Sequence, residues 1–223
     1  MITLHHLNNS RSQRIIWLLE EIGIDYKIEF YERHPVTIRA PQALKDVHPL
    51  GKSPVISDDQ TGITLAESGA IIEYLVHNYA PQLKPNSDSP MYWQYQYWMH
   101  FSEGSLMPPM LISLVFTQLQ KAPMPFFIKP VAKMLSEKTM ANFVSPNIKA
   151  LLGFIENHLS QNTWFCGNEL SGADFQMSFP LEAAVARGII NESLPHTLKY
   201  VKTFQARKAY QAGLEKGGEY DYA

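Results

Sequence analysis

Two short stretches of this chain combine residue types able to hold a small zwitterion. Ser53-Pro54 heads the apolar run Val55-Ile56-Ser57, and Glu67-Ser68-Gly69 stands where Ile63-Thr64-Leu65-Ala66 gives way to a helical pattern. Proline cannot donate to a strand ladder, so Pro54 belongs at a strand start or a special turn. If the bond before it is cis, Ser53 turns its own N–H and C=O outward, free to pair with an extended peptide. A trans proline that simply opens a strand is the alternative. At the second stretch, a hydroxyl and free N–H groups at a helix N-terminus suit a carboxylate, and a neighbouring acid suits an ammonium. Ser68 and Glu67 together therefore fit a free α-amino acid group. The plainer reading makes Ser68 a helix cap and Glu67 a solvated acid of the first turn.

Other chemically capable residues point elsewhere. His5 and His6 lie on a strand with no ligand-spaced partner, so metal binding is not expected. Cys166 is the single cysteine; it cannot form an internal disulfide, and nothing beside it marks a nucleophile. Ser171-Gly172-Ala173-Asp174, flanked by Leu170 and Phe175, reads as a capping box with a hydrophobic staple, a folding device and not a catalytic one. The net charge of −2 and the absence of basic runs argue against a nucleic-acid partner. No stretch is long and apolar enough for a membrane span, the first residues lack a secretory layout, and a reducing, cytoplasmic location is expected.

The 223 residues must position these groups. Ile2 to Leu7 reads as a strand. Ser12 to Ile22 reads as a helix with one apolar face, stopped by Gly23. Tyr26 to Tyr31 is a second strand, His34 to Val47 is irregular with a short helix, and residues 55–66 form a hairpin around Asp58 to Gly62. The stripe Ile71, Ile72, Leu75 and Val76 carries a helix to Tyr79. The order is β-α-β-α-β-β-α over residues 1–80, a linker spans 81–89, and residues 90–223 are all helical. Two places, Met107-Pro108-Pro109-Met110 and Lys121 to Phe127, must kink or end helices.

With those motifs in place, Leu50-Gly51-Lys52-Ser53-Pro54-Val55 and Glu67-Ser68-Gly69-Ala70-Ile71-Ile72-Glu73-Tyr74-Leu75 resemble the glutathione site of cytosolic glutathione transferases. Phe165 to Phe175 is similar to that family's helix start in the α domain. The resemblance implies an α/β thioredoxin-like N-terminal domain followed by a C-terminal helical bundle. It also implies a cis Pro54, with Ser53 pairing to the cysteinyl part of glutathione and Glu67 and Ser68 holding its γ-glutamyl end. Lys52, or His48, would meet the glycine carboxylate. The thiol-activating group would come from Leu7 to Ile15, where no tyrosine or cysteine stands, so a serine-type enzyme of a bacterial or fungal branch is implied. Ser10 is preferred and Arg11 is its rival or assistant; Asn9 and Ser12 remain open, Ser12 also as a simple cap.

The resemblance further implies glutathione as co-substrate, no metal, a small hydrophobic electrophile and a homodimer. The stripe Tyr97, Trp98, Phe101, Met107, Met110 and Leu111 would line the electrophile's pocket, with core packing as the competing account. Glu103 would reach across the dimer interface toward the glutathione amino group, and Pro123 to Pro130 would flank or cover the pocket. The expected activity is conjugation of the glutathione thiolate, with peroxide reduction at the same site. A non-catalytic glutathione-binding, ligand-carrier or regulatory protein, and a glutathione-dependent isomerase or dehalogenase, are the alternatives on this fold.

Overall fold

The computed structural model describes residues 1–223. Strand β1 (Ile2–Leu7) lies at the centre of a four-stranded sheet of order β2-β1-β3-β4 and is buried along nearly its whole length. It pairs in parallel with β2 (Tyr26–Tyr31), Ile2 opposite Tyr26, and antiparallel with β3 (Val55–Asp58), Ile2 opposite Asp58. The hairpin to β4 (Ile63–Ala66) turns at Gly62, whose φ of 70° suits a residue without a side chain. Helix α1 (Gln13–Ile22) buries Ile15, Ile16, Leu18 and Leu19, and stops where Gly23, at φ 76°, donates its N–H to Leu19. Helices α2 (Gln42–Val47) and α3 (Ser68–Tyr79) complete a thioredoxin-like β-α-β-α-β-β-α unit, followed by a 3-10 turn over Pro81–Leu83.

The remainder is an all-helical bundle: α4 (Pro90–Phe101), α5 (Met107–Lys121), α6 (Lys129–Thr139), α7 (Ser145–Leu159), α8 (Gly172–Ala186), α9 (Pro195–Gln205) and α10 (Lys208–Gly217). Helix α8 is its axis, buried from Gly172 through Ala184. Asp174 anchors its start, accepting from the Ser171 N–H at 2.8 Å, the Ser171 hydroxyl at 2.9 Å and the Phe165 N–H at 2.9 Å. The proline pair does not end the helical run. Between α4 and α5 the chain widens into a π-helical stretch, Ser102–Leu106, and Pro108-Pro109 follow at once in the first turn of α5. Two missing N–H groups and two rings crowding the preceding turn account for the wider winding. The second proline cluster does break the chain: α5 ends at Lys121 and α6 begins only at Lys129.

The two units share one core. Trp17 of α1 stacks on Phe204 at 5.0 Å and lies 4.2 Å from Phe175. Arg14, buried beside it, donates to the Gln176 carbonyl of α8 at 2.5 Å. Arg207 pairs with Glu21, and Lys216 with Glu20 at 2.6 Å. No helix is long and apolar enough to cross a membrane.

Candidate functional site

Sheet topology gathers the relevant loops on one side. Because β2 and β4 run parallel to β1 while β3 runs against it, the ends of β1, β2 and β4 and the beginning of β3 meet at a single edge. A cleft of about 440 Å³ opens there, closed on its far side by Glu103, Leu111 and Phe179 of the helical unit. Its walls include Asn9, Ser10, Arg11, Arg33, His48, Lys52, Ser53, Pro54, Glu67 and Ser68. The structure therefore gathers Ser10, Arg11, Lys52, Ser53, Pro54, Glu67, Ser68 and Glu103 around one cavity.

The peptide bond between Ser53 and Pro54 is cis. The Ser53 hydroxyl takes the place of a ladder partner, accepting from the Leu7 N–H at 3.2 Å and donating to the His5 carbonyl at 2.9 Å. Its own N–H and C=O bond no other main-chain group. They are open toward the cleft, where an extended peptide could pair with them. Gly51 sits two residues earlier at φ 55°, where an added Cβ would come within 2.6 Å of the Lys45 side chain. Lys52 has no ion-pair partner, and His48 Nδ1 is buried without a hydrogen bond.

Glu67 carries the chain from β4 into α3 at φ 72°, ψ 120°, a conformation that costs a non-glycine residue on the order of 1–3 kcal/mol. The plainer expectation for Ser68 is corrected: Glu67 holds the N-cap position, Ser68 is the first helical residue, and no side chain caps the helix. Ser68 is 4% exposed, and its buried hydroxyl has no partner within the chain. A buried hydroxyl without a partner, beside uncapped N–H groups at a helix start, is suited to an anion.

At the β1–α1 turn, Asn9 adopts φ 50°, which asparagine tolerates better than most residues. Ser10, 5% exposed, accepts the Ser12 N–H at 3.2 Å and shares a 2.7 Å bond with the Ser12 hydroxyl. Ser12 is not the simple cap that was one option: its hydroxyl bonds His6 Nδ1 at 2.8 Å and makes no capping bond. Burial pushes the His6 imidazole down to about 4, so the ring is neutral. Cys166 is distant in role as in sequence, a buried thiol that burial pushes up to about 12.

Arg11 and Glu103 meet in the cleft wall. Glu103 lines this chain's own cleft, where the π-helical stretch presents it, and its Oε1 accepts from Arg11 Nε at 3.0 Å and Arg14 Nη2 at 2.6 Å. Burial raises the Glu103 carboxyl, but the two guanidinium groups override it and hold it below its ordinary value. Arg11 in turn lies 5.2 Å above the Phe179 ring, its charge shared with Glu103.

Two further expectations are corrected. Of the aromatic and methionine stripe only Leu111 lines the cleft; Trp98, Phe101 and Met110 are core, and Tyr97 lies on another face beside Trp93 and Phe154. Residues 123–130 line no part of the cleft, and Phe126 and Phe127 project into solvent at the tip between α5 and α6. In return, Arg33 and Phe179 enter the site unannounced. Arg33 was readable in principle, because the loop following a strand parallel to β1 must emerge beside the β1–α1 turn. Nothing local marks Phe179, which arrives from a helix more than a hundred residues away.

Known proteins with this arrangement are consistent in kind. Residues 10–78 match the glutathione S-transferase N-terminal domain and residues 117–208 the C-terminal domain. Glutathione S-transferase 3 of Schizosaccharomyces pombe is 39% identical over 97% of this chain and 88% of its own. A glutathione S-transferase structure from Actinobacillus pleuropneumoniae superposes with a TM-score of 0.76 at 32% identity, covering 97% of this chain and 93% of that one. A Phanerochaete chrysosporium glutathione transferase in complex with oxidized glutathione gives 0.74 at 25% identity, with 97% and 96% covered.

Proposed function

The chain belongs to the cytosolic glutathione S-transferase superfamily, and from that premise we propose that it binds glutathione in the cleft and conjugates the thiolate to small electrophiles, with peroxide reduction at the same sulfur. The observation that carries this is the pair of unmet hydrogen-bonding sites in one cavity: the Ser53 main chain on one side and the buried Ser68 hydroxyl on the other. In this reading Ser53 pairs with the cysteinyl residue of glutathione. Ser68 and the first N–H groups of α3 take its α-carboxylate, Glu67 its ammonium, and Lys52 its glycine carboxylate.

The chemistry asks little of the activating group. Lowering a thiol from about 8.5 to about 6.5 requires about 2.7 kcal/mol. A hydrogen bond to a charged acceptor supplies about 1.5–3 kcal/mol, and a helix N-terminus about 0.3–1 kcal/mol more. Ser10, at the start of α1, fills that role, and Arg11 adds a guanidinium whose charge Glu103 moderates. The thiolate attacks the electrophilic carbon, the C–S bond forms, and the leaving group departs with its electron pair; orientation in the cleft supplies the remaining advantage.

We read residues 81–89 as the division between the glutathione-binding and helical domains. A homodimer is supported by an exposed apolar face on α4 and α7, where Trp93, Tyr97 and Phe154 gather around one shallow depression; sedimentation velocity reporting a single-chain mass would contradict it. The central experiment is calorimetric titration with glutathione alongside turnover of chlorodinitrobenzene and an organic hydroperoxide. Binding with turnover supports the proposal. Binding without turnover of any electrophile would make the protein a carrier or sensor, and no binding would end the reading.

A further inference from the structure

Two cations lining the cleft, Lys52 and Arg33, have no ion-pair partner, and the glutathione reading uses only Lys52. Arg33 follows β2 and is half-buried in the cleft wall. Its Nε donates to the Asn8 carbonyl at 3.3 Å and its Nη1 to the Ile38 carbonyl at 3.3 Å, while its main-chain N–H donates to Asn8 Oδ1 at 3.2 Å. These contacts fix the guanidinium and leave Nη2 without a hydrogen bond in the chain. No carboxylate forms an ion pair with it, whereas Arg11 and Arg14 both meet Glu103. Burial works against its charge, as the lowering of its pKa records.

The charges of glutathione do not call on Arg33. In the arrangement proposed above, Ser68 with the α3 N-terminus, Glu67, Lys52, and Ser10 with Arg11 between them account for both carboxylates, the ammonium and the sulfur. A half-buried guanidinium held by two carbonyls, with Nη2 free of hydrogen bonds within the chain, is placed to donate to an anion entering the cleft. Leu111 and Phe179 offer apolar surface to the same cavity, so a molecule lying across it can meet both an apolar face and the Arg33 guanidinium.

We propose that Arg33 is the specificity determinant for the second substrate and that this substrate is an amphipathic acid, its apolar body against Leu111 and Phe179 and a carboxylate on the Arg33 guanidinium. The inference rests on the glutathione transferase reading. The carboxylate is a spectator in the chemistry: the glutathione sulfur bonds to the electrophilic carbon, the carbon–chlorine bond of a chloroaromatic breaks, and chloride leaves with the electron pair.

A matched pair of electrophiles tests it. Chlorodinitrobenzene and chlorodinitrobenzoate share a leaving group and differ by one carboxylate, so kcat/KM for each, divided by its uncatalysed rate with glutathione, isolates recognition of the anion. The wild-type protein is expected to favour the benzoate. Arg33→Gln should lower the benzoate-to-benzene ratio by about ten-fold or more, as loss of a charge-assisted hydrogen bond implies. Arg33→Lys, which keeps the charge without the fork, should retain part of the preference and serves equally should the glutamine variant not fold. An unchanged ratio in both variants overturns the proposal. So does a loss that falls on the KM for glutathione, which would assign Arg33 to the glycine carboxylate. If the wild-type protein conjugates neither compound, the enzyme reading itself fails and this inference with it.

Discussion

Ser10 offers its hydroxyl to the cleft under constraint from behind. It accepts one bond from the Ser12 main chain, and the Ser12 hydroxyl links it to a neutral, buried His6. That line of bonds holds the Ser10 oxygen in place at the cleft wall, where its hydroxyl can reach a bound sulfur. Ser10→Ala should therefore raise the pKa of bound glutathione by about one to two units and lower turnover correspondingly, with glutathione affinity nearly kept. Ultraviolet titration of the bound thiolate measures it, and an unchanged pKa would transfer the role to Asn9 or Arg11. Ser68→Ala separates binding from activation. It removes a buried contact to a carboxylate, so calorimetry should show glutathione affinity falling by about ten-fold or more; wild-type affinity in this variant would remove Ser68 from the site. Both serines were singled out in the sequence because each stands in a short motif with its neighbours. Arg33 and Phe179 carry no such local mark.

At the scale of single elements, helix starts and one widened turn decide most. The buried Asp174 carboxylate holds together the Ser171 N–H, the Ser171 hydroxyl, the Phe165 N–H and the Tyr200 hydroxyl, so the start of α8 is tied to the preceding loop and to α9. Ser171→Ala should cost about 1 kcal/mol or more, visible as a fall in melting temperature of about 2–4 °C. Glutathione affinity measured at a temperature where the variant is folded should be unaffected, and a selective loss of binding would contradict a purely structural role. The capping box was readable from sequence because its partners are three residues apart. The π-helical stretch at Ser102–Leu106 was not. A proline pair announces a disturbance, yet whether the helix breaks or widens depends on the packing around it. Here the Ser102 hydroxyl donates to the Gln176 carbonyl at 2.8 Å and Arg14 draws Glu103 inward, so the run continues and delivers Glu103 to the cleft.

At the scale of the whole molecule, buried carboxyls set the pH response. Burial pushes Asp174 up to about 6 and Glu182 up to about 7 despite the hydroxyl groups that donate to them. A carboxyl raised in the folded state keeps its proton there after the unfolded chain, titrating near about 4, has lost it. Stability from these two groups is thus full below about pH 4 and falls as pH rises through about 6 and 7. Asp58, Glu103 and Glu156 are held below their ordinary values and contribute in the opposite sense, losing stability as pH falls through their lowered range. Burial lowers the pKa of His5, His6 and His158, which add stability as pH rises through about 6.5 and oppose the carboxyl loss. Glu182→Gln removes one of those losses, so its melting temperature at pH 8 relative to pH 6 should rise compared with the wild-type protein; differential scanning calorimetry at the two pH values checks it, and an unchanged difference would contradict it. The sequence by itself determined the β-α-β-α-β-β-α order, the all-helical remainder and the motifs at Ser53-Pro54 and Glu67-Ser68, because periodicity, turn chemistry and capping act between residues close in the chain. Only the tertiary structure decided that Glu103 serves its own chain's arginines, that most of the aromatic stripe is core, that residues 123–130 stand away from the cleft, and that Arg33 faces into it unpaired. Those outcomes depend on which surfaces of distant elements meet and what water they exclude. Residue spacing along the chain carries no record of that.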